Sequence, residues 1–287
     1  MKTAALMPAG PTDDVRRADG ATRAALAEAV GRSAELWRRI DEPNAPVPGL
    51  AWTASQTAAH VVGDLREYTE ALSDHVNGRH VSGGVPDQPP WRLRRAVNAH
   101  HLTVVPERDP RRLADMLEET AVRYLAAAAT VDVDEPAAIA TADGLVLEPA
   151  FMTCLLLGEQ LVHGLDIARA AHQPWSIRRE DALLVLPAVL ELAPNYLRPD
   201  RARGVHVSFE LRLRGGPRYR IAVDDATGVV GPAGERADCV ITADPVTFLL
   251  VGYGRIPQLS QILRGKLRAG GRKPWLAAKF STLLASP

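Results

Sequence analysis

Residues 155–170 read LLLGEQLVHGLDIARA. Leu155, Leu156, Leu157, Leu161, Val162 and Leu165 surround the polar positions on every side. A helix that is apolar nearly all round is a buried helix. Yet this one carries Glu159, His163 and Asp166, and a bare carboxylate or imidazole is costly to bury unless something pairs it. Glu159 and His163 are four residues apart, so they share one face, one turn apart. On a solvated helix that spacing would be a surface pair worth about 0.3 kcal/mol. The aliphatic flanks put it inside instead, and a helix buried on all sides requires other helices around it.

Those helices are readable upstream. Apolar residues recur at helical spacing over residues 13–40, which predicts one continuous helix. After the proline-rich DEPNAPVPGL, Thr53 with Gln56 three residues on has the form of a capping box and opens a second helix. His60 falls in its second turn, within the apolar run TAAHVVG. Residues 76–90 are dense in Gly and Pro and read as a long loop, a candidate lid. A short helix over WRLRRAVNAH follows. Asp109 and Pro110 then fit N-cap and N1 of a third principal helix. The opening stretch extends to a fourth, over about 148–171, closed by HQPW. Four principal helices with a long crossover make an antiparallel four-helix bundle the economical architecture, and such bundles build metal sites from side chains on facing helices.

Past residue 177 the texture changes. GVHVSFELRLR, PRYRIAVDD and ADCVITAD alternate at period two and read as strands; REDALLVLPAVLELAP, PVTFLLVGYGRI and LAAKFSTLLA read as helices. The expected division is therefore an all-α bundle over 1–175 and an α+β domain over 176–287. A chain of 287 residues with 46% hydrophobic content has the apolar material for both cores.

Composition narrows the function. Formal net charge is zero, which argues against a dedicated nucleic-acid surface. Residues 176–287 hold 17 basic and 10 acidic residues, a surplus of +7, so the first 175 carry −7. The 2 cysteines, Cys154 and Cys239, form neither a disulfide framework nor a thiolate zinc site. No apolar stretch has membrane-spanning length, and MKTAALMPAG lacks the apolar run of a signal peptide. The expected setting is a reducing cytoplasm, without membrane or nucleic-acid partners.

Two histidines and a carboxylate on apolar helices, His60, Glu159 and His163, form a candidate three-ligand site. Neutral imidazoles with one carboxylate suit a borderline divalent cation, and three protein ligands leave a coordination position open, as in catalytic zinc. Asp64, one turn after His60, is a candidate fourth ligand or base. Asp166 either orients His163 or pairs with Arg169. His100 and His101 are adjacent, so at most one faces a cleft. His75 and His80 read as solvated, Cys154 as a small buried hydrophobe, and Trp52 and Trp91 as packing residues.

The W-T-x5-A-H entry at Trp52–His60 and the G-E-x3-H-G-x-D-I-A-R-A run at Gly158–Ala170 resemble the mycothiol-dependent maleylpyruvate isomerase family, part of the wider DinB-like metal-binding bundles. The likeness covers roughly residues 15–175. It implies a four-helix bundle that binds a divalent metal, typically zinc, through a His on the second helix and a Glu and a His on the fourth. His60, Glu159 and His163 fill those positions. Residues 237–271, ADCVITADPVTFLLVGYGRIPQLSQILRGKLRAGG, resemble the sterol-carrier-protein-like domains that follow such bundles. The resemblance also implies a cleft between the domains, shaped by a C-terminal arginine. Arg212, Arg214, Arg220 and Arg272 are candidates, with Arg220 and Asp64 the first choices for catalytic roles.

The implied activity is a metal- and thiol-dependent isomerase, with mycothiol as cosubstrate and a small electrophile as substrate. The same machinery would serve a thiol S-transferase. Readings from other classes are a lipid- or metabolite-binding protein with a structural metal, and a metal hydrolase whose cation activates water. The sequence does not specify an oligomeric state.

Overall fold

The computed structural model describes residues 9–79, 88–132 and 137–285. The expected loop over 76–90 therefore lies largely outside the described residues, as does His80. Two compact units are present: Ala18–Val185, and Leu186–Pro287 together with the first helix. The helix expected over 13–40 is two helices, α1 (Pro11–Arg17) and α2 (Asp19–Trp37). The chain turns between them at Ala18, with φ −91° and ψ 0°. Helix α1 belongs to the C-terminal unit, where Tyr219 Oη donates to Asp14 Oδ2 at 2.6 Å. Val15 and Leu26 are both buried, but they fall in different units. Apolar periodicity continues across a break of that kind.

In the N-terminal unit α2 is joined by α3 (Ala54–Val76), α4 (Pro90–Val104), α5 (Pro110–Ala128) and α6 (Pro149–Ala170). Helix α2 packs on α5 and α6, and α3 packs on the same two, so the four principal helices close a ring; α4 lies against α3. The ring is filled by Leu26, Trp37, Leu65, Leu72, Leu113, Leu117, Tyr124, Met152 and Leu156. Each such side chain contributes about 1.5–3 kcal/mol on burial. Thr53 and Gln56 form the reciprocal capping box at the start of α3. The Asp109 carboxylate accepts from Arg111 N–H at 2.8 Å at the start of α5. Strands β1 (Ile139–Ala140) and β2 (Val146–Leu147) make a small hairpin before α6, its turn closed by Thr141 N–H to Leu145 C=O at 2.9 Å. Helix α6 is buried along almost its whole length, as the opening stretch predicts. It ends where His172 takes φ 52° and Gln173 N–H returns to Ala168 C=O at 2.8 Å.

Helix α7 (Arg179–Leu192) carries the boundary between units. A short helix, α8 (Pro199–Ala202), and a five-stranded mixed sheet follow: β3 (His206–Leu213), β4 (Arg218–Asp224), β5 (Thr227–Pro232), β6 (Cys239–Ala243) and β7 (Leu267–Gly271). The order is β5-β4-β3-β6-β7, with β3 and β6 parallel and the other neighbours antiparallel. Helices α9 (Pro245–Gly252), α10 (Gln258–Leu263) and α11 (Ala277–Leu283) complete the unit. Phe280 of α11 meets Phe209 of β3 edge to face at 5.2 Å. The three expected strands are β3, β4 and β6. The unexpected β5 and β7 are the two edges, where TGVVGP and LRAGG carry glycines and no clean alternation. No helix among the described residues is long and apolar enough to cross a membrane.

The β4–β5 turn has two residues, Asp225 at φ 43° and Ala226 at φ 67°. Both central residues of such a primed turn need positive φ. Asp tolerates it; Ala does so at a cost. Ala226→Gly is expected to stabilise the C-terminal unit by about 0.5–1 kcal/mol. Urea denaturation followed at an α+β probe measures this, and equal or lower stability would contradict the backbone assignment.

Candidate metal centre

Helix α3 places His60 in its second turn, and α6 presents Glu159 and His163 one turn apart. Across the α3–α6 contact, His60 Nε2 lies 3.4 Å and His163 Nε2 3.1 Å from Glu159 Oε2. The three ligand atoms all lie within 4.8 Å of one another. The two imidazoles meet nearly edge to face at 5.1 Å between centroids. His60 is 2% exposed and His163 8%. The structure thus brings together all three sequence-predicted ligands.

Each imidazole has its second nitrogen occupied. His163 Nδ1 is 3.0 Å from Asp166 Oδ2, the orienting contact considered for Asp166. His60 Nδ1 is 3.0 Å from Nδ1 of His101 on α4. His101 Nε2 is in turn 3.0 Å from Glu67 Oε2, and Glu67 Oε1 accepts the Ala142 N–H at 3.0 Å. Both Nε2 atoms are left facing Glu159. Histidine ligands are commonly held in this way, by a hydrogen bond at the nitrogen away from the metal.

The electrostatics follow from burial and pairing. Burial would raise the Glu159 carboxyl, but the hydrogen bond from His163 and the closeness of His60 hold it well below the usual carboxylate range. Burial, reinforced by the neighbouring His163, pushes His60 down to about 4 against the pull of Glu159. Burial would also lower His163, but Asp166 and Glu159 raise it to about 9. Without a cation, then, His60 is the neutral imidazole of the cluster and His163 the positively charged one. Two nitrogens and one carboxylate oxygen around a shared point, with outer partners in place, are a donor set that fits a borderline divalent ion.

Asp64 is buried one turn beyond His60 but is not part of the three-atom group. Its Oδ1 is 3.7 Å from Arg94 and makes no hydrogen bond. Burial, with the charge of Glu159, lifts its carboxyl to about 7. Arg94 also approaches Asp143 Oδ2 at 3.3 Å. Of the adjacent pair, His101 is buried and His100 exposed. Cys154 is fully buried, its thiol pushed up to about 12 by burial, and behaves as a small apolar residue. The four candidate arginines all lie in the C-terminal unit. Arg212 pairs with Glu210 at 2.7 Å, Arg272 with Asp238 at 2.5 Å and Arg220 with Glu235 at 3.4 Å. Arg214 donates to the Gly265 carbonyl.

Sequence reading missed Glu67; it left open which of His100 and His101 turns inward, and it read Trp52 as packing without placing it on His60. The Trp52 ring sits 5.0 Å from His60 and walls the site. Two signals were available: His60, Asp64 and Glu67 recur at i, i+4 and i+7 on one face of α3, and Gly63 faces α4. A Cβ on Gly63 would fall 2.6 Å from His101 Cβ, so the missing side chain is what lets His101 approach.

Residues 26–168 match the family model described as the mycothiol maleylpyruvate isomerase N-terminal domain. The crystal structure of the mycothiol-dependent maleylpyruvate isomerase aligns over 88% of this chain and 92% of that one, at 14% identity and TM-score 0.56. A histidine-to-alanine mutant of that isomerase aligns over the same shares at 11% identity and TM-score 0.53. At such identities the likeness is one of fold. A solved UbiJ-SCP2 ubiquinone synthesis protein aligns over 35% of this chain at 19% identity and TM-score 0.28, too low to support an argument; the α+β assignment rests on the strands themselves. No curated protein matches the chain.

Gly164, directly after His163, accounts for the glycine of the α6 motif. A Cβ there would fall 2.1 Å from Trp175 Cζ2, and the Trp175 indole N–H donates to Leu161 C=O at 3.1 Å. Gly164→Ala is expected to cost about 2 kcal/mol through overpacking. In a double-mutant cycle with Trp175→Ala the second substitution should cost less than it does alone. Strict additivity in chemical denaturation would show that the two residues do not meet.

Proposed function

We propose that this chain, whose residues 26–168 belong to the mycothiol maleylpyruvate isomerase N-terminal domain family, is a metal- and thiol-dependent enzyme acting on a small electrophile. The observation that carries the reading is the convergence of His60 Nε2, Glu159 Oε2 and His163 Nε2, each imidazole held from behind. These three residues would hold the cation, zinc being the best match to the donor set. When bound, such a cation supplies a position at which a coordinating thiol loses its proton.

The protein's own groups do the rest. Glu159 stays ionised and sets the charge of the centre. Asp166 and His101 keep the imidazoles aimed. Asp64, with a carboxyl near 7 and an unbonded Oδ1, is the group assigned to receive the thiol proton and later return it. Trp52 covers His60 and keeps water from that side. In isomerisation the thiolate of the cosubstrate adds to the conjugated double bond of a maleyl compound. The resulting single bond rotates, and elimination regenerates the double bond and releases the thiol. An S-transferase would stop after the addition.

Metal analysis and a thiol assay test this together. Wild-type protein purified without chelators should carry about one zinc per chain. His163→Ala and Glu159→Ala should weaken zinc binding by more than the ~10–100-fold typical of outer partners. Turnover of maleylpyruvate should require added mycothiol. Regenerated thiol identifies an isomerase, and thiol consumed with product a transferase. Metal-free wild-type protein, or turnover independent of thiol, would overturn the proposal.

A further inference from the structure

We propose that Glu67 and His101 are positioning residues that lock His60 in the Nδ1–H tautomer, with the Ala142 amide of the β1–β2 hairpin setting the direction of the relay. The inference rests on the metal-site reading above and deepens it. The chain of contacts has one end that cannot reverse. The Ala142 backbone N–H is a donor only, and it is 3.0 Å from Glu67 Oε1. An ionised Glu67 is an acceptor only, and its other oxygen, Oε2, is 3.0 Å from His101 Nε2. His101 must therefore donate from Nε2. We take His101 as the neutral ring: with Nε2 donating, its Nδ1 is left as an acceptor. It faces His60 Nδ1 at 3.0 Å, so His60 donates from Nδ1 and its Nε2 keeps a free lone pair.

A competing arrangement would put the His60 proton on Nε2, donating to Glu159. That contact is 3.4 Å, against 3.0 Å for each link of the relay. It would also leave two bare nitrogens face to face in a buried position, at the cost of an unmade buried hydrogen bond. The relay arrangement wins on both counts. Its consequence is that Nε2 of His60 is available to a cation before any cation arrives, and no proton need be displaced from that nitrogen. The small hairpin between α5 and α6 thereby acquires a role: its amide gives the relay its polarity.

The sharpest variant is Glu67→Gln. The Ala142 N–H requires an oxygen at the Oε1 position, which turns the amide NH2 toward His101 Nε2. His101 must then accept there and donate from Nδ1, and the His60 proton is driven onto Nε2. Two readouts decide the matter. Two-bond 1H–15N correlation spectra of metal-free, 15N-labelled protein should show His60 protonated at Nδ1 in wild type and at Nε2 in E67Q. Chelator competition with zinc alone should show E67Q binding about 10–100-fold more weakly, with the thermal midpoint of the metal-free protein unchanged. A wild-type His60 protonated at Nε2 overturns the proposal, as does a folded E67Q that binds zinc as tightly as wild type. Should E67Q fail to fold, the wild-type spectrum decides alone. Wild-type protein that takes up no zinc defeats the metal reading, and the tautomer spectrum still judges the relay separately.

Discussion

A half-buried carboxylate between two buried imidazoles is the interaction on which the N-terminal unit turns. Glu159 sits on a helix enclosed by apolar neighbours, and its charge survives there because protonated His163 pairs with it, with His60 facing it from α3. Removing His163, the charged partner, would leave an uncompensated charge in the core, which is among the costlier defects it can carry. Helices α3 and α6 must therefore meet in one register, with His60 level with Glu159. The requirement is met by groups that are themselves oriented: Asp166 behind one imidazole, and His101 with Glu67 behind the other. A half-satisfied polar network is worse than an apolar core, whereas a connected one specifies a single packing.

Small residues make that packing possible. Gly63 on α3 and Gly164 on α6 lie next to the ligand turns, and each opens space for a ring: His101 in one case, Trp175 in the other. Without a side chain at 63, α4 comes close enough for its histidine to touch His60. Without one at 164, the Trp175 ring lies on α6 and its indole N–H reaches a backbone carbonyl. The two glycines serve opposite ends of one construction. One admits a polar partner behind the centre, and the other seals the helix that carries two of its three ligands.

How much of this the sequence disclosed depends on whether a feature is local. The burial of α6, the capping box at Thr53 and the cap at Asp109 are stated by residues within one or two turns, and they could be read directly. The three clustered residues could be read as candidate ligands because each sits as a polar exception in an apolar run. The break at Ala18 could not, because Val15 and Leu26 keep helical spacing while packing into different units. Edge strands β5 and β7 escaped because an edge needs no alternating pattern and tolerates glycine. The Glu67–His101 relay escaped for another reason. Where α4 lies is decided by a tertiary contact, and a lone glycine does not announce which helix it admits.

The acidic surroundings of the centre bear on what it holds. Asp64, Asp143, Glu159 and Asp166 all lie in or around it, the three aspartates almost wholly buried. Arg94 reaches two of them, at 3.7 and 3.3 Å, and protonated His163 lies between the other two. Asp64 feels the shortfall most: burial and the Glu159 charge outweigh Arg94, and its carboxyl rises to about 7. The charges seen to meet these carboxylates include one guanidinium, on Arg94, and one imidazolium, on His163. A divalent ion at the His60–Glu159–His163 point would replace a single proton with two charges, adding positive charge where burial makes the carboxylates most costly. The outer carboxylates set a field that would favour a doubly charged occupant over a proton.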